Sequence, residues 1–110
     1  MRRAARKDDN HALLVAHWRA IGGSWLDTYQ LAGALDGVAG LYGIDQRVEI
    51  KDGSKPPSRQ SLTTDERQTI ALWRGRPPIV WTCVEDVDET RRRLMRECEH
   101  RAQEAYRDET

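Results

Sequence analysis

The segment Val48-Glu49-Ile50-Lys51 alternates apolar and charged residues, and this alternation constrains the fold more than any other feature of the chain. Side chains of a β-strand point to opposite faces with a period of two. Val48 and Ile50 therefore share one face, and Glu49 and Lys51 share the other. Asp36 precedes a glycine-studded stretch that predicts another strand and a turn. Two carboxylates and an ammonium on one hairpin can bind a divalent metal and activate water, although an ordinary surface strand also tolerates this pattern.

The remaining segments predict helices and further strands. Apolar residues recur with helical spacing from Leu14 to Ile21, and Gly22-Gly23 ends that helix. Strands are predicted over 24–31, 36–42 and 47–51, followed by a helix from Thr63 or Thr64 to Gly75, a buried strand over 79–84, and a final helix that begins at Asp86 or Asp88. The order α-β-β-β-α-β-α indicates an α/β fold with a mixed sheet flanked by helices.

Composition limits the domain organisation and the location of the protein. A chain of 110 residues is expected to form one small domain, with a core over 1–84 that begins in a frayed basic segment, and a charged helix over 85–110. No apolar run is long enough to cross a membrane, and the two cysteines lack metal-ligand spacing. We therefore expect reduced thiols, no membrane association and a cytoplasmic location.

Tryptophans have to supply much of the aromatic core, because the chain has four Trp and no Phe. Trp18, Trp73 and Trp81 lie in apolar surroundings along the sequence, so they are expected to be buried. Trp25 is the tryptophan least expected to be buried. Together with the apolar stripe of the final helix, it is a candidate for an interface between two copies of the chain.

The expected hairpin raises a problem of distance. A turn in which Gly43 pairs with Gln46 puts Asp36 on the face of Glu49, but about four residues along the ladder, or roughly 13 Å. Ligands of one metal ion must each lie about 2.0–2.6 Å from it. The hairpin is therefore expected to bend or bulge, most cheaply at Gly37 or Gly40.

Residues 33–40 and 48–53 resemble the PD-(D/E)XK nuclease superfamily, most of all its small stand-alone VRR-NUC and Holliday-junction-resolvase-like members from phages and bacteria. Residues 62–65 and 73–75 are similar to the helix that follows the active-site strand in those proteins. The resemblance extends from the first helix to Val84 and leaves out the final helix. It implies a restriction-endonuclease-like fold.

The resemblance also implies a function. Asp36 and Glu49 would bind Mg²⁺ or Mn²⁺ with help from the Ile50 carbonyl, and Lys51 would position or polarise the attacking water. The protein would be a metal-dependent DNA endonuclease in a bacterial or phage-infected cytoplasm, with branched DNA as a candidate substrate. Nucleases of this size in that family usually form homodimers, so a homodimer is expected.

Two departures from the family pattern favour an alternative. The family's proline before the motif aspartate is Leu35 here, and the first helix starts with His11 and Ala12 where the family often has a glutamate. Either Asp8 or Asp9 substitutes for that acid, or water does. His11 itself is expected to be a surface or packing residue. The alternative function is a catalytically inactive DNA-binding or assembly subunit, and a third is a structural protein that pairs through its last helix.

Any affinity for DNA has to come from a local basic surface, because Lys plus Arg equals Asp plus Glu at 18 each. The candidate phosphate-binding residues are Lys55, Arg59, Arg74 and Arg76. Lys55 and Arg59 follow the predicted catalytic strand on a loop, where phosphate contacts are plausible. The competing interpretation is that all four are ordinary solubilising charges.

Overall fold

The computed structural model describes residues 9–31 and 33–109, and it is a mixed α/β structure with a four-stranded sheet. Its elements are α1 (His11–Ala20), β1 (Ser24–Asp27), β2 (Gly37–Leu41), β3 (Ile44–Ile50), α2 (Pro57–Gln60), α3 (Thr64–Leu72), β4 (Ile79–Trp81) and α4 (Val84–Glu109). This is the predicted order with one addition, the single-turn helix α2, which begins at a proline in the loop after β3. The basic segment predicted to fray lies outside the described residues.

The sheet has the strand order β1-β2-β3-β4. β1, β2 and β3 are antiparallel neighbours, whereas β4 pairs with β3 in parallel. Because a parallel pair needs a long crossover, the segment from Lys51 to Pro78 carries α2 and α3 between β3 and β4. The coarse prediction of a mixed sheet is confirmed, and the restriction-endonuclease-like fold stays a prediction.

The β2–β3 turn differs from the predicted one, and the difference removes the distance problem. Leu41 pairs with Ile44, so the turn consists of Tyr42 and Gly43. Both have positive φ, 56° and 74°, as a two-residue type I′ hairpin requires. The ladder then continues in consecutive pairs to Gly37↔Val48, so the bulge expected within this hairpin is wrong. The sequence places the turn incorrectly, because tyrosine is not a residue type that indicates a positive φ.

The core lies on one face of the sheet, where α1 and α4 cover it. Trp18 of α1, Trp25 of β1 and Trp81 of β4 form an aromatic cluster in which the ring of Trp81 lies 5.5 Å from that of Trp18 and 5.4 Å from that of Trp25. Val48 and Ile50 of β3 are fully buried in the same core, as the alternation predicted. Trp25 is 9% exposed, so the expectation that it is the least buried tryptophan is wrong.

Trp73 is the tryptophan that lies outside the core, contrary to prediction. α3 ends at Leu72 rather than at Gly75, and Trp73 follows it with extended dihedral angles, 47% exposed. Its ring packs against Arg47 instead, with the Arg47 Cζ atom 4.1 Å from the ring centroid. None of the nine residues of α3, all within the described chain, is buried. A capping box between Thr63 and Glu66 stabilises the start of this helix.

The final helix begins at Val84, two residues before the first predicted start. Asp86 lies in its first turn and accepts hydrogen bonds from the Thr82 backbone N–H (2.8 Å) and hydroxyl (2.9 Å). Val87 and Leu94 are buried against the rest of the protein, while residues 99–109 are exposed. Along this helix Glu97 pairs with Arg101 one turn later, and Glu89 pairs with Arg92 and Arg96.

Two expectations about partners can be compared with these helices. Among the described residues, no helix combines the length and the apolar character that crossing a bilayer requires. The homodimer rested on apolar residues left over at the surface, but Trp25 and much of the α4 stripe are used in the core of a single chain. The homodimer therefore stays a prediction of the family resemblance alone.

Gly37→Ala tests the close packing between β2 and Trp25. A Cβ at Gly37 would lie 2.2 Å from the Trp25 ring and 2.6 Å from the Leu26 carbonyl oxygen, so the ring and the strand would have to separate. We expect the free energy of unfolding in urea to fall by about 1–3 kcal/mol. Gly40→Ala on the same strand is the control, since its Cβ would meet the movable Asp45 side chain at 3.3 Å. Equal losses in both variants would contradict the packing described here.

Candidate functional site

Asp36 and Glu49 lie side by side at the end of the β2–β3 hairpin. The pair Gly37↔Val48 closes the ladder, so the next residues, Asp36 and Glu49, come opposite one another. The Ile50 backbone N–H donates to Asp36 Oδ2 at 2.7 Å, which fixes the aspartate beside the third strand. Both carboxyl groups are buried, with Asp36 9% and Glu49 4% exposed. The predicted proximity of these two residues is therefore present, although by a different register from the expected one.

Lys51 joins the same cluster from the residue after β3. Its Nζ lies 3.9 Å from Glu49 Oε1 and 2.9 Å from Glu66 Oε1. Its backbone is held on both sides, because the N–H donates to the Trp81 carbonyl at 2.9 Å and the carbonyl accepts from Asn10 Nδ2 at 3.1 Å. The sheet and the start of α1 thus position Lys51, and the lysine shares a face with Glu49 as predicted.

Glu66 is a member of the cluster that the sequence did not single out. It is the third residue of α3, where its carboxylate accepts from the Thr63 backbone N–H at 2.8 Å while Lys51 approaches from the sheet. The capping-box pattern Thr63-x-x-Glu66 is visible in the sequence. That pattern locates the helix start, but nothing in it indicates that the helix start faces Glu49.

The pKa values of Glu49 and Glu66 are shifted in opposite directions. Burial, then a hydrogen bond with Glu66, then the charge of Asp36 raise the pKa of Glu49 to about 10. Burial also acts to raise the pKa of Glu66, but hydrogen bonds from Glu49, the Thr63 N–H and Lys51 outweigh it and lower that pKa to about 2. At neutral pH, Glu49 is therefore the protonated partner and donates to the Glu66 carboxylate.

His11 lies at the start of α1, where it faces Asp36 and also packs edge-on against the rings of Trp25 and Tyr29, so the expected packing role is present. It is 3% exposed, and its Nε2 lies 3.1 Å from Asp27 Oδ1. Because a carboxylate only accepts, this contact assigns a ring proton to Nε2. Nδ1 lies 3.9 Å from Asp36 Oδ1 and has no hydrogen-bond partner among the described residues.

His11 begins the helical turn in which the nuclease resemblance predicts an acid. The acids predicted to substitute for it are Asp8 and Asp9. Asp8 lies outside the described residues, and Asp9 forms an ion pair with Lys55 at 2.8 Å.

The cluster offers oxygen and nitrogen donors of the kind that bind divalent metals. Asp36 Oδ1 and His11 Nδ1 face each other, and two donors each about 2.1 Å from one ion are about 3–4 Å apart. The 3.9 Å between His11 Nδ1 and Asp36 Oδ1 lies in that range. Over residues 9–31 and 33–109, however, no group of three or more His, Cys, Asp or Glu side chains is arranged so that it could hold a metal ion. His11 Nδ1 is a buried nitrogen without a hydrogen-bond partner among the described residues.

The four predicted phosphate-binding residues have separate surroundings. Lys55 is paired with Asp9, and Arg76 forms two hydrogen bonds with the Glu97 carboxylate of α4, which raise the pKa of the guanidinium. Arg74 is exposed, and the side chain of Arg59 lies outside the described part. A common basic surface made by these residues stays a prediction.

An open groove of about 640 Å³ lies at the starts of α1 and α4. Asp9 and Asn10 line it together with Asp52 and the start of α4 at Thr82 and Cys83. Of the described residues, those of the carboxylate cluster lie outside its lining. The cluster is therefore not part of this groove.

Comparison with known proteins adds no further guide to the site. No family model matches the chain, and no curated protein or solved structure matches it either. The nuclease interpretation therefore depends on the chain's own residues and their geometry.

The raised pKa of Glu49 and the lowered pKa of Glu66 predict how stability depends on pH. The pKa of Glu49 is raised from 4.5 in folding, so the folded state binds more protons than the unfolded state between about pH 4.5 and about pH 10. Stability should therefore fall as pH rises through this window, by at most about 1.4 kcal/mol per pH unit. Glu66, whose pKa is lowered, loses its contribution only below pH 4.5.

Glu49→Gln should remove this slope and stabilise the protein, most clearly at pH 8–9. Urea unfolding at pH 6, 7, 8 and 9 measures the effect. Asp45→Asn is the matched control, because Asp45 is an exposed carboxylate on the same strand. If Glu49→Gln and the wild type lose stability in parallel with rising pH, the proton does not reside on Glu49.

Proposed function

We propose that the protein is a divalent-metal-dependent nuclease that hydrolyses phosphodiester bonds in DNA. The observation that carries this proposal is the convergence of Asp36, Glu49 and Lys51 at one end of a hairpin, beside a buried histidine nitrogen with no partner among the described residues. Buried carboxyl groups are costly unless they are neutralised or paired. A cluster of three with one lysine is unfavourable for stability alone, and this favours a role in chemistry.

Asp36, Glu49 and His11 would hold the metal, with Mn²⁺ or Mg²⁺ as the candidates, and the Ile50 carbonyl would be a further ligand. When bound, the metal would lower the pKa of a water molecule and neutralise charge on the scissile phosphate. Asp27 supports this role on the opposite side of the imidazole ring. It accepts a hydrogen bond from His11 Nε2, and this contact directs Nδ1 towards Asp36. Such a carboxylate behind a ligating histidine orients the ring and increases its basicity.

Glu49 has to lose its proton before it can act as a ligand, since ligands bind metals in their deprotonated form. Glu66 accepts the hydrogen bond from Glu49, and it also holds the Lys51 ammonium at 2.9 Å. Metal binding would release the Glu49 proton to solvent, and the Lys51 ammonium, which has three N–H donors, would still donate to a water or to a phosphate oxygen. In the hydrolysis the water oxygen would bond to phosphorus and give up a proton to solvent, the bond from phosphorus to the sugar oxygen would break, and that oxygen would take a proton from solvent.

The alternative of an inactive DNA-binding or assembly subunit drew its support from the missing acid in the first helix. His11 lies at that place and presents a nitrogen donor to Asp36. This geometry favours the nuclease over the inactive subunit. Branched DNA and a homodimer remain parts of the proposal that the family resemblance alone supports.

Asp36→Asn tests the nuclease proposal directly. Incubation of wild-type protein with labelled duplex, nicked, flapped and four-way DNA should give cleavage with Mn²⁺ or Mg²⁺ and none with EDTA. The Asn variant keeps the shape of the side chain, loses its charge, and should cleave roughly 100-fold more slowly or worse. Lys51→Ala should show a comparable loss.

Asp45→Asn, purified in the same way, is the control for contaminating nuclease and should cleave like the wild type. Cleavage at the wild-type rate by Asp36→Asn would rule out this site. Binding of DNA without cleavage of any of the four substrates, under both metals, would instead support the inactive subunit.

His11→Ala should weaken Mn²⁺ binding, and urea unfolding of the variant confirms that the protein titrated is folded, because His11 is buried. Removing one ligand nitrogen is expected to lower the affinity by roughly tenfold or more. The readout is free Mn²⁺ measured by electron paramagnetic resonance during titration of the protein without DNA. His17→Ala is the matched control, because His17 lies on the same helix and pairs with Asp88 at 2.7 Å. Equal affinities for His11→Ala and wild type would remove the histidine from the ligand set.

A further inference from the structure

Arg47 and Trp73 form a stacked pair on the same side of the sheet as the carboxylate cluster. Arg47 lies two residues before Glu49 on β3, so it faces the same way, roughly 7 Å along the strand. Its guanidinium carbon lies 4.1 Å from the centroid of the Trp73 ring. α3 connects the two places, because Glu66 in its first turn contacts Lys51 and Trp73 follows its last residue.

Trp73 differs from the other tryptophans of the chain in its exposure. Trp18, Trp25 and Trp81 are at most 9% exposed, and each donates its indole N–H to a neighbouring oxygen. Trp73 is 47% exposed. Its ring is nevertheless held in place, because Arg47 covers it and Gly75 lies so close that a Cβ there would be 2.7 Å from the indole nitrogen. Trp73 therefore combines partial exposure with a ring that is held in a fixed place.

The chemistry around the ring indicates what would bind. The Arg47 guanidinium covers one aromatic ring, and Arg74, which follows Trp73 in the chain, is exposed. Aromatic rings stack on bases, and nearby arginines contact phosphates, which together form the usual surface for single-stranded nucleic acid. A base inside a duplex is already paired and stacked, so a ring of this kind favours unpaired nucleotides.

We propose that Trp73 and Arg47 form a binding surface for an unpaired nucleotide next to the scissile position. The inference rests on the proposed nuclease function and specifies its substrate class as DNA with a single-stranded segment, such as a flap, gap or free end. At about 3.4 Å per stacked nucleotide, the distance along β3 places the bound base about two nucleotides from the carboxylate cluster.

Binding without cleavage tests the surface separately from the proposed activity. Wild-type protein in EDTA is titrated into three fluorescein-labelled probes. They are a DNA oligothymidine of 12 nucleotides, the DNA duplex of that strand with oligodeoxyadenosine, and the RNA equivalent of the single strand. Trp73→Ala should weaken single-strand binding by roughly tenfold and leave duplex binding unchanged. Trp73→Phe keeps a stacking ring and should recover most of the affinity.

Tyr106→Ala is the control, because Tyr106 is an exposed aromatic residue (70%) in the exposed last part of α4. It should leave both affinities unchanged. The fluorescence of the wild-type protein gives a second readout that does not depend on Trp73→Ala being folded. The single strand should quench the exposed Trp73, and Trp73→Phe should lose that quenching. Equal binding of RNA and DNA single strands supports the surface and shows that it does not read the sugar.

The proposal is overturned if the single strand is not bound, if Trp73→Ala weakens single strand and duplex equally, or if wild-type fluorescence does not change. These outcomes are distinct from failure of the nuclease. Metal-dependent cleavage that is indifferent to Trp73 would leave the activity and remove the surface. Trp73-dependent binding with no cleavage under any metal would leave the surface and remove the activity.

Discussion

The hydrogen bond from the Ile50 backbone N–H to the Asp36 carboxylate is the interaction on which the candidate site depends. The strand ladder stops at Gly37, and the aspartate side chain continues it by accepting where a backbone carbonyl would otherwise do so. The two-residue turn at the other end of the hairpin sets this alignment. With any other turn length, Asp36 would face a different residue of β3, and the carboxyl groups would not meet.

The two faces of β3 have different roles, because one packs in the core and the other carries ionisable side chains. Val48 and Ile50 anchor β3 in the tryptophan-rich core, whereas Glu49 between them is held in a cluster of charges. The buried apolar neighbours make the position of Glu49 rigid, and the same burial raises its pKa. The core therefore both orients the carboxyl group and keeps it protonated until a stronger positive charge replaces the proton.

Local patterns in the sequence predicted most of this fold and part of the site. Alternation placed Glu49 and Lys51 on one face, and cap and glycine signals located the main helices. The pairing register was mispredicted, because it depended on a positive φ at Tyr42 that its residue type does not indicate. His11 and Glu66 were missed for a different reason, since their proximity to Asp36 and Glu49 is created only by helices that pack across long stretches of chain.

The attachment of α3 has a consequence for how the site opens. Four groups of the cluster are attached to the sheet or to α1, which pack on the core, but Glu66 belongs to a helix with none of its described residues buried. A helix with few buried contacts is expected to open locally at lower cost than strands in a packed core. Lys51 pairs with Glu66, so its ammonium is shielded by this weakly packed helix. Local opening of α3 would therefore expose the ammonium without unfolding of the whole domain.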